Sequence, residues 1–184
     1  MSDLGQARVL GGVASILLVL GIVPSVGPML GIVGFVLLLV SLKQISDIVQ
    51  QPEIFKNALI ATIVGIVGAV AAIVFGGAAI MSLFTNGFSQ FDIVRTFVSI
   101  LLALVVVWVA LVVSSMFLRK SLNLTANVLG IGLFRTAGLL ILIGAILTII
   151  LVGAIVVLVA YVLLAAAFFQ VKPDSQPSSV SPPS

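Results

Sequence analysis

A chain of 184 residues with 62% hydrophobic and 7% charged residues lies far from the soluble average of about one quarter charged. Its net charge of +3 is the balance of 8 basic and 5 acidic residues, and the basic ones, scattered between apolar runs, form no patch for nucleic acid. With no cysteine and no histidine, the chain has no disulfide, no thiol chemistry and no imidazole for acid–base catalysis or zinc ligation.

Apolar runs of about twenty residues match the thickness of a bilayer's hydrocarbon core and leave no polar face for water. Spanning strands would show alternating polarity, which is absent, so the expected class is all-α. The sequence predicts a polytopic bundle of about six transmembrane or membrane-inserted helices, with one or two short interfacial amphipathic helices. Residues 1–171 are read as a single helical membrane domain, and 172–184, KPDSQPSSVSPPS, as a disordered Pro/Ser-rich tail.

In chain order, Arg8 followed by Val9 to Val23 mimics a secretion signal, but the return to apolar sequence at Met29 argues against cleavage. A first hairpin is predicted from Leu4 to Leu42, turning at Pro24 to Pro28. Its apolar halves hold about fifteen residues each, about 22 Å of helix, slightly short of the roughly 30 Å core. It therefore either spans a thin region or dips in and returns. Leu42, Ile45, Ile48 and Val49 then share a face opposite Lys43, Gln44, Asp47 and Gln51, so the second helix should continue along the headgroups.

Pro52 suits the first turn of a third helix and Glu53 its positive end, and that helix should run to about Leu83. Its small residues Ala61, Gly65, Gly68, Ala69, Ala72 and Gly76 predict a ridge for close helix packing. A polar connection, Thr85 to Asp92, leads to a fourth helix from Ile93 to Leu118 with a narrower stripe of Ser99, Ala103, Ala110 and Ser114. Asp92 and Arg95, three apart at its mouth, are expected to pair locally and snorkel, the alternative being that they form part of a polar site. Arg119 to Leu129 reads as a separate amphipathic helix on the membrane surface, released at Gly130 and Gly132.

From Thr136 to Val171 the apolar run is about 54 Å if drawn as one helix, too long for one crossing, so a bend is required between Thr148 and Gly153. Arg8, Gly12, Gly27 and Phe35 can be laid over Arg135, Gly138, Gly153 and Tyr161 with one residue of slack, a match that either a duplicated hairpin or chance likeness between apolar stretches produces; a true repeat would run the same way through the membrane. With six crossings, Arg8, Lys43, Lys56, Arg119, Lys120, Arg135 and Lys172 share one side, and Arg95 lies on the other. That bias predicts a multi-pass cell-membrane protein with cytoplasmic termini.

The opening ARVLGGVASIL, the loop ISDIVQQPEIFKN and the closing LFRTAGLLILIGAILTIILVGAIVVLVAYVLLAAAFF resemble an archaeal multi-pass membrane family known as domain of unknown function 996. The resemblance covers about residues 4 to 171 and implies an archaeal membrane protein, with no activity, cofactor or catalytic residue to carry over. It departs at Ser121 to Ile131, where a more charged linker is expected.

Function is read mostly by exclusion. Every charged residue sits at a predicted helix end, and the interior holds only hydroxyls such as Ser15, Thr62, Ser99, Thr148 and Tyr161, so no catalytic, cofactor-binding or metal residue is assigned. The expectation is a non-enzymatic component whose partners are membrane lipids, copies of itself or another membrane protein. A passive channel or carrier for small or apolar solutes is the alternative.

Overall fold

The computed structural model describes residues 4–21, 27–86, 90–148 and 152–171. The regular structure of these residues is entirely helical: α1 (Leu4–Leu20), α2 (Gly27–Ile48), α3 (Pro52–Asn86), α4 (Gln90–Leu129), α5 (Gly132–Leu147) and α6 (Val152–Phe169). Of the expected turn at Pro24 to Pro28, Pro24 to Val26 lie outside the described residues, as does the 172–184 tail, and Gly27 and Pro28 already belong to α2. The predicted bend falls where expected, since α5 ends at Leu147 and α6 starts at Val152.

Each helix packs on its chain neighbours, and α6 packs on α1, so the six close into a ring. The pairings are antiparallel. Within the α1–α2 hairpin, Ser41 meets Ala7 and Gly34 meets Ala14, while Ile54, Ala61 and Gly68 of α3 meet Ser121, Ser114 and Ala110 of α4. All the helices start or end together at one pole, and the core lies towards it. Leu38, Leu42, Ile45, Ile54, Leu122, Phe134, Leu164 and Phe168 are fully buried there. Phe134 of α5 stands edge-on to Phe168 of α6 with ring centroids 4.9 Å apart, a favoured aromatic geometry.

Serine hydroxyls fasten this pole across helices. Ser41 Oγ donates to the Ala7 carbonyl at 2.8 Å, and Ser114 and Ser121 donate to the Ala61 and Ile54 carbonyls at 2.7 Å each. Where apolar surroundings replace water, each such bond is worth about 1 kcal/mol. Ser121→Ala should therefore lower stability by about 1 kcal/mol, read as an earlier thermal transition of detergent-solubilised protein. An unchanged transition would show that the bond contributes nothing net.

The link between α2 and α3 is tight for a reason the sequence hides. The Gln51 amide reaches back to the Ser46 carbonyl at 3.0 Å, and the intervening Gln50 has φ 53°. That is a left-handed helix cap, normally held by glycine because a Cβ is strained there. Gln50→Gly should consequently stabilise the protein by about 1 kcal/mol. A decrease in thermal midpoint would mean that the glutamine side chain contributes more than its strain costs.

Two expectations are corrected. No separate surface helix exists at Arg119 to Leu129, because α4 contains no Gly or Pro before Gly130 (φ 69°) and runs unbroken for 40 residues. Its Leu118, Ser121, Leu122, Thr125 and Ala126 are buried, so the amphipathic spacing faces the bundle rather than headgroups. The polar connection is also shorter than Thr85 to Asp92, since α3 includes Thr85 and α4 already includes Gln90.

Candidate functional site

The residues with chemical potential are the charges and the hydroxyls, and the fold separates them. Arg8, Lys43, Lys56 and Arg135 lie near helix ends at the packed pole, Arg119 and Lys120 lie in the same half of the bundle but about three turns before the end of α4, and Arg95 belongs to the opposite end of α4. Lys172, and the side chains of Asp92 and Arg95 with their expected pairing, lie outside what is described.

The basic groups make local contacts and do not converge. Lys56 lies 3.6 Å from Glu53 in the first turn of α3, both exposed. Arg135 Nη2 donates to Asn127 Oδ1 at 2.8 Å, tying α5 to the end of α4. Lys43 Nζ sits 5.8 Å from the centre of the Phe55 ring and bridges α2 to α3, and Lys120 Nζ sits 5.4 Å from that of Phe117. This spacing suits an interface with water or headgroups, where long basic side chains keep their heads wet.

The interior hydroxyls singled out in sequence are mostly bonded within their own helices. Ser15 donates to the Gly11 carbonyl, Thr62 to Ala58 and Thr148 to Gly144, each four residues back. Such bonds satisfy a hydroxyl in apolar surroundings and leave no aligned nucleophile. Tyr161 of α6 packs partly buried against the core. What sequence reasoning missed is that Ser41 and Ser121 bond across helices, along with two buried oxygens, Gln44 Oε1 and Asn123 Oδ1, that accept no hydrogen bond among the described residues. Ser41 and Ser121 carry no pattern that separates them from ordinary helix serines.

An open cleft of about 790 Å³ indents the packed pole, lined by the Leu129 to Leu133 connection with Thr136, Gln170 and Val171. None of the described residues that line it is ionisable. Among the described residues, no group of three or more His, Cys, Asp or Glu comes together to hold a metal ion.

The outside tells more than the cleft. Three helices, Met29–Ile48, Pro52–Ala78 and Phe97–Leu129, are long and apolar enough to cross a membrane, and three shorter apolar ones accompany them. Residues 30–162 match the model of a family described as a protein of unknown function, DUF996. The chain belongs to this family. It is also similar to an uncharacterized protein of Methanocaldococcus jannaschii, MJ1644, at 32% identity over 94% of this chain and 95% of that one. That long match extends the likeness beyond the family's matched segment, into α1 and through α6. No solved structure matches.

Proposed function

We propose that the protein is a non-enzymatic integral component of the cell membrane, a scaffold that works by packing against lipid and against copies of itself or a membrane partner. The observation that carries this reading is an inversion of polarity. The described centre of the ring is filled by large apolar side chains, and the outside is apolar too, with Ile73 73% and Phe97 62% exposed. Surface of that kind is stable only in hydrocarbon. The filled centre also weighs against the passive channel or carrier, which needs a continuous polar or open path.

Both termini and the α2–α3 link are assigned to the cytoplasm, because the basic residues gather at their pole and cytoplasmic flanks carry the excess of Lys and Arg. The chain lacks cysteine, so single cysteines report orientation cleanly. Ser46 is buried, which makes exposed Gln51 the better position at the basic pole. In intact cells an impermeant thiol reagent should label Thr85→Cys and spare Gln51→Cys; the reverse pattern would overturn the orientation.

The functional test is solute flux into proteoliposomes across a panel, with and without imposed proton and sodium gradients. No flux above lipid alone is expected. Coupled transport usually needs a carboxylate whose protonation or coordination changes at mid-depth, and Asp47 and Glu53 lie on helix ends at the basic pole. Accumulation that depends on a gradient would refute the scaffold reading, and downhill leakage would move the assignment to the passive pore.

A further inference from the structure

The six helices share one pole but not the other. Phe134, Phe168 and Gly11 lie at one level, since the two rings touch and Gly11 abuts Phe168. From there α1 continues about 13 Å to its end at Leu20, α5 about 20 Å to Leu147 and α6 about 24 Å to Val152. α2 is long enough in itself to cross, but its Ser41 meets Ala7 and its Gly34 meets Ala14, so part of it lies on the basic side of this level and only about 15 Å, from about Leu37 to Gly27, continues beyond. α4 is far longer. From Leu122, where it meets Gly138 of α5, to Gln90 it extends about 48 Å. Trp108 fixes where company ends, because its indole Nε1 donates to the carbonyl of Ile146, one residue short of the end of α5, at 3.2 Å.

Beyond Trp108, α3 and α4 run on with each other as their main partner. Ala103 is buried on the seam between them, while Phe97, Val98, Leu101, Leu102, Leu104 and Val105 are exposed. On α3 the consecutive Ile73, Val74 and Phe75 are 73%, 56% and 50% exposed, so the bare surface wraps round the helix instead of forming one stripe. A second protein copy would cover a single face; apolar surface on successive positions fits acyl chains on every side.

We propose that the α1–α2 and α5–α6 hairpins end inside the hydrocarbon, so that the protein is a wedge, six helices wide at the basic pole and two at the other, that favours membrane convex on its basic side. With helices about 10 Å across, the wide end displaces about three times the lipid area of the narrow one. The leaflet holding the wide end must then expand relative to its partner, which bends the sheet towards that side. This inference rests on the membrane reading above but not on the absence of flux: a positive flux assay would refute the scaffold and leave the shape untouched.

The shape is tested with full-length single-cysteine protein in phosphatidylcholine–phosphatidylglycerol membranes. In nanodiscs, which expose both faces, an impermeant thiol reagent should modify Gln51→Cys and Thr85→Cys and leave Leu20→Cys and Thr148→Cys protected. Equal modification of all four would show that the bilayer thins to let the short hairpins cross, and would overturn the wedge. In vesicles, the odds that Gln51→Cys faces outwards should be about threefold higher in small sonicated than in large extruded ones, the bias expected from a preference of order RT. Thr85→Cys should show the mirror image. Odds independent of vesicle diameter would equally overturn the proposal.

Discussion

Gly11→Ala is expected to destabilise the protein by about 1–3 kcal/mol, the usual cost of forcing one extra carbon into a filled core. A methyl at Gly11 would fall on the ring of Phe168, closer than any real contact. The ring has no room to retreat, because Phe168 is fully buried and held edge-on by Phe134. The clash must therefore push α1 away from α6, and that contact closes the ring of helices. The measurement is the thermal midpoint in detergent, where about 2–4 °C per kcal/mol is expected for a chain of this size. Phe168→Leu alone should also destabilise, since it loses ring contacts, but combined with Gly11→Ala it should restore part of what the alanine costs. Simple additivity of the two changes would show that Gly11 is small for some reason other than Phe168.

The helices were largely legible from the sequence because hydrophobic runs, Pro52 and the small-residue spacing are local signals that report a helix's length and start. The third helix begins at Pro52 as expected and runs to Asn86, three residues past the predicted end. The second continues through Leu42 and Ile45 as expected, but their shared face is buried in the bundle core and does not lie along the headgroups. Less legible was what each polar face meets. Ser121 to Ala126 reads as a surface helix because its spacing is amphipathic, and only tertiary neighbours decide whether the apolar side meets headgroups or other helices. Gln50 gives no sign of its left-handed backbone, since such positions are normally announced by glycine or asparagine. The pairing of α1 with α6 joins residues far apart in the chain, and no local pattern in the sequence forecast it. For the site, most of the described charges lie near helix ends as foreseen, but Arg119 and Lys120 do not, because α4 runs on past the expected end at Leu118, and the bridging roles of Ser41 and Ser121 depend on helix register.

Gly68→Ile should lower stability at least as much as Gly11→Ala, whereas Gly76→Ile, on the same helix and in the same ridge by sequence, should be tolerated. The sequence treats the two glycines alike, and the structure separates them. A Cβ at Gly68 would lie 2.5 Å from Ala110 Cβ, and one at Gly65 would be in ordinary contact with Ser114 Oγ at 3.5 Å, so α3 and α4 approach closely there. At Gly76 an added Cβ meets nothing within 4 Å. In hydrocarbon no water-driven force holds two helices together, and close backbone approach must supply much of the attraction. Isoleucine at Gly68 cannot be accommodated by turning a flexible side chain, because the obstacle is the first carbon of an alanine fixed to α4. The helices must separate, stretching the Ser114 bond to Ala61 about two turns away. Gly76→Ile instead trades glycine for a better helix former and should change stability by no more than about 0.5 kcal/mol, in the stabilising direction. Exchanging the partners gives the sharpest outcome: Gly68→Ala should destabilise, and adding Ala110→Gly should recover most of the loss by returning the missing space. Equal tolerance at Gly68 and Gly76, or no recovery in the exchanged pair, would show that the α3–α4 seam does not depend on this contact.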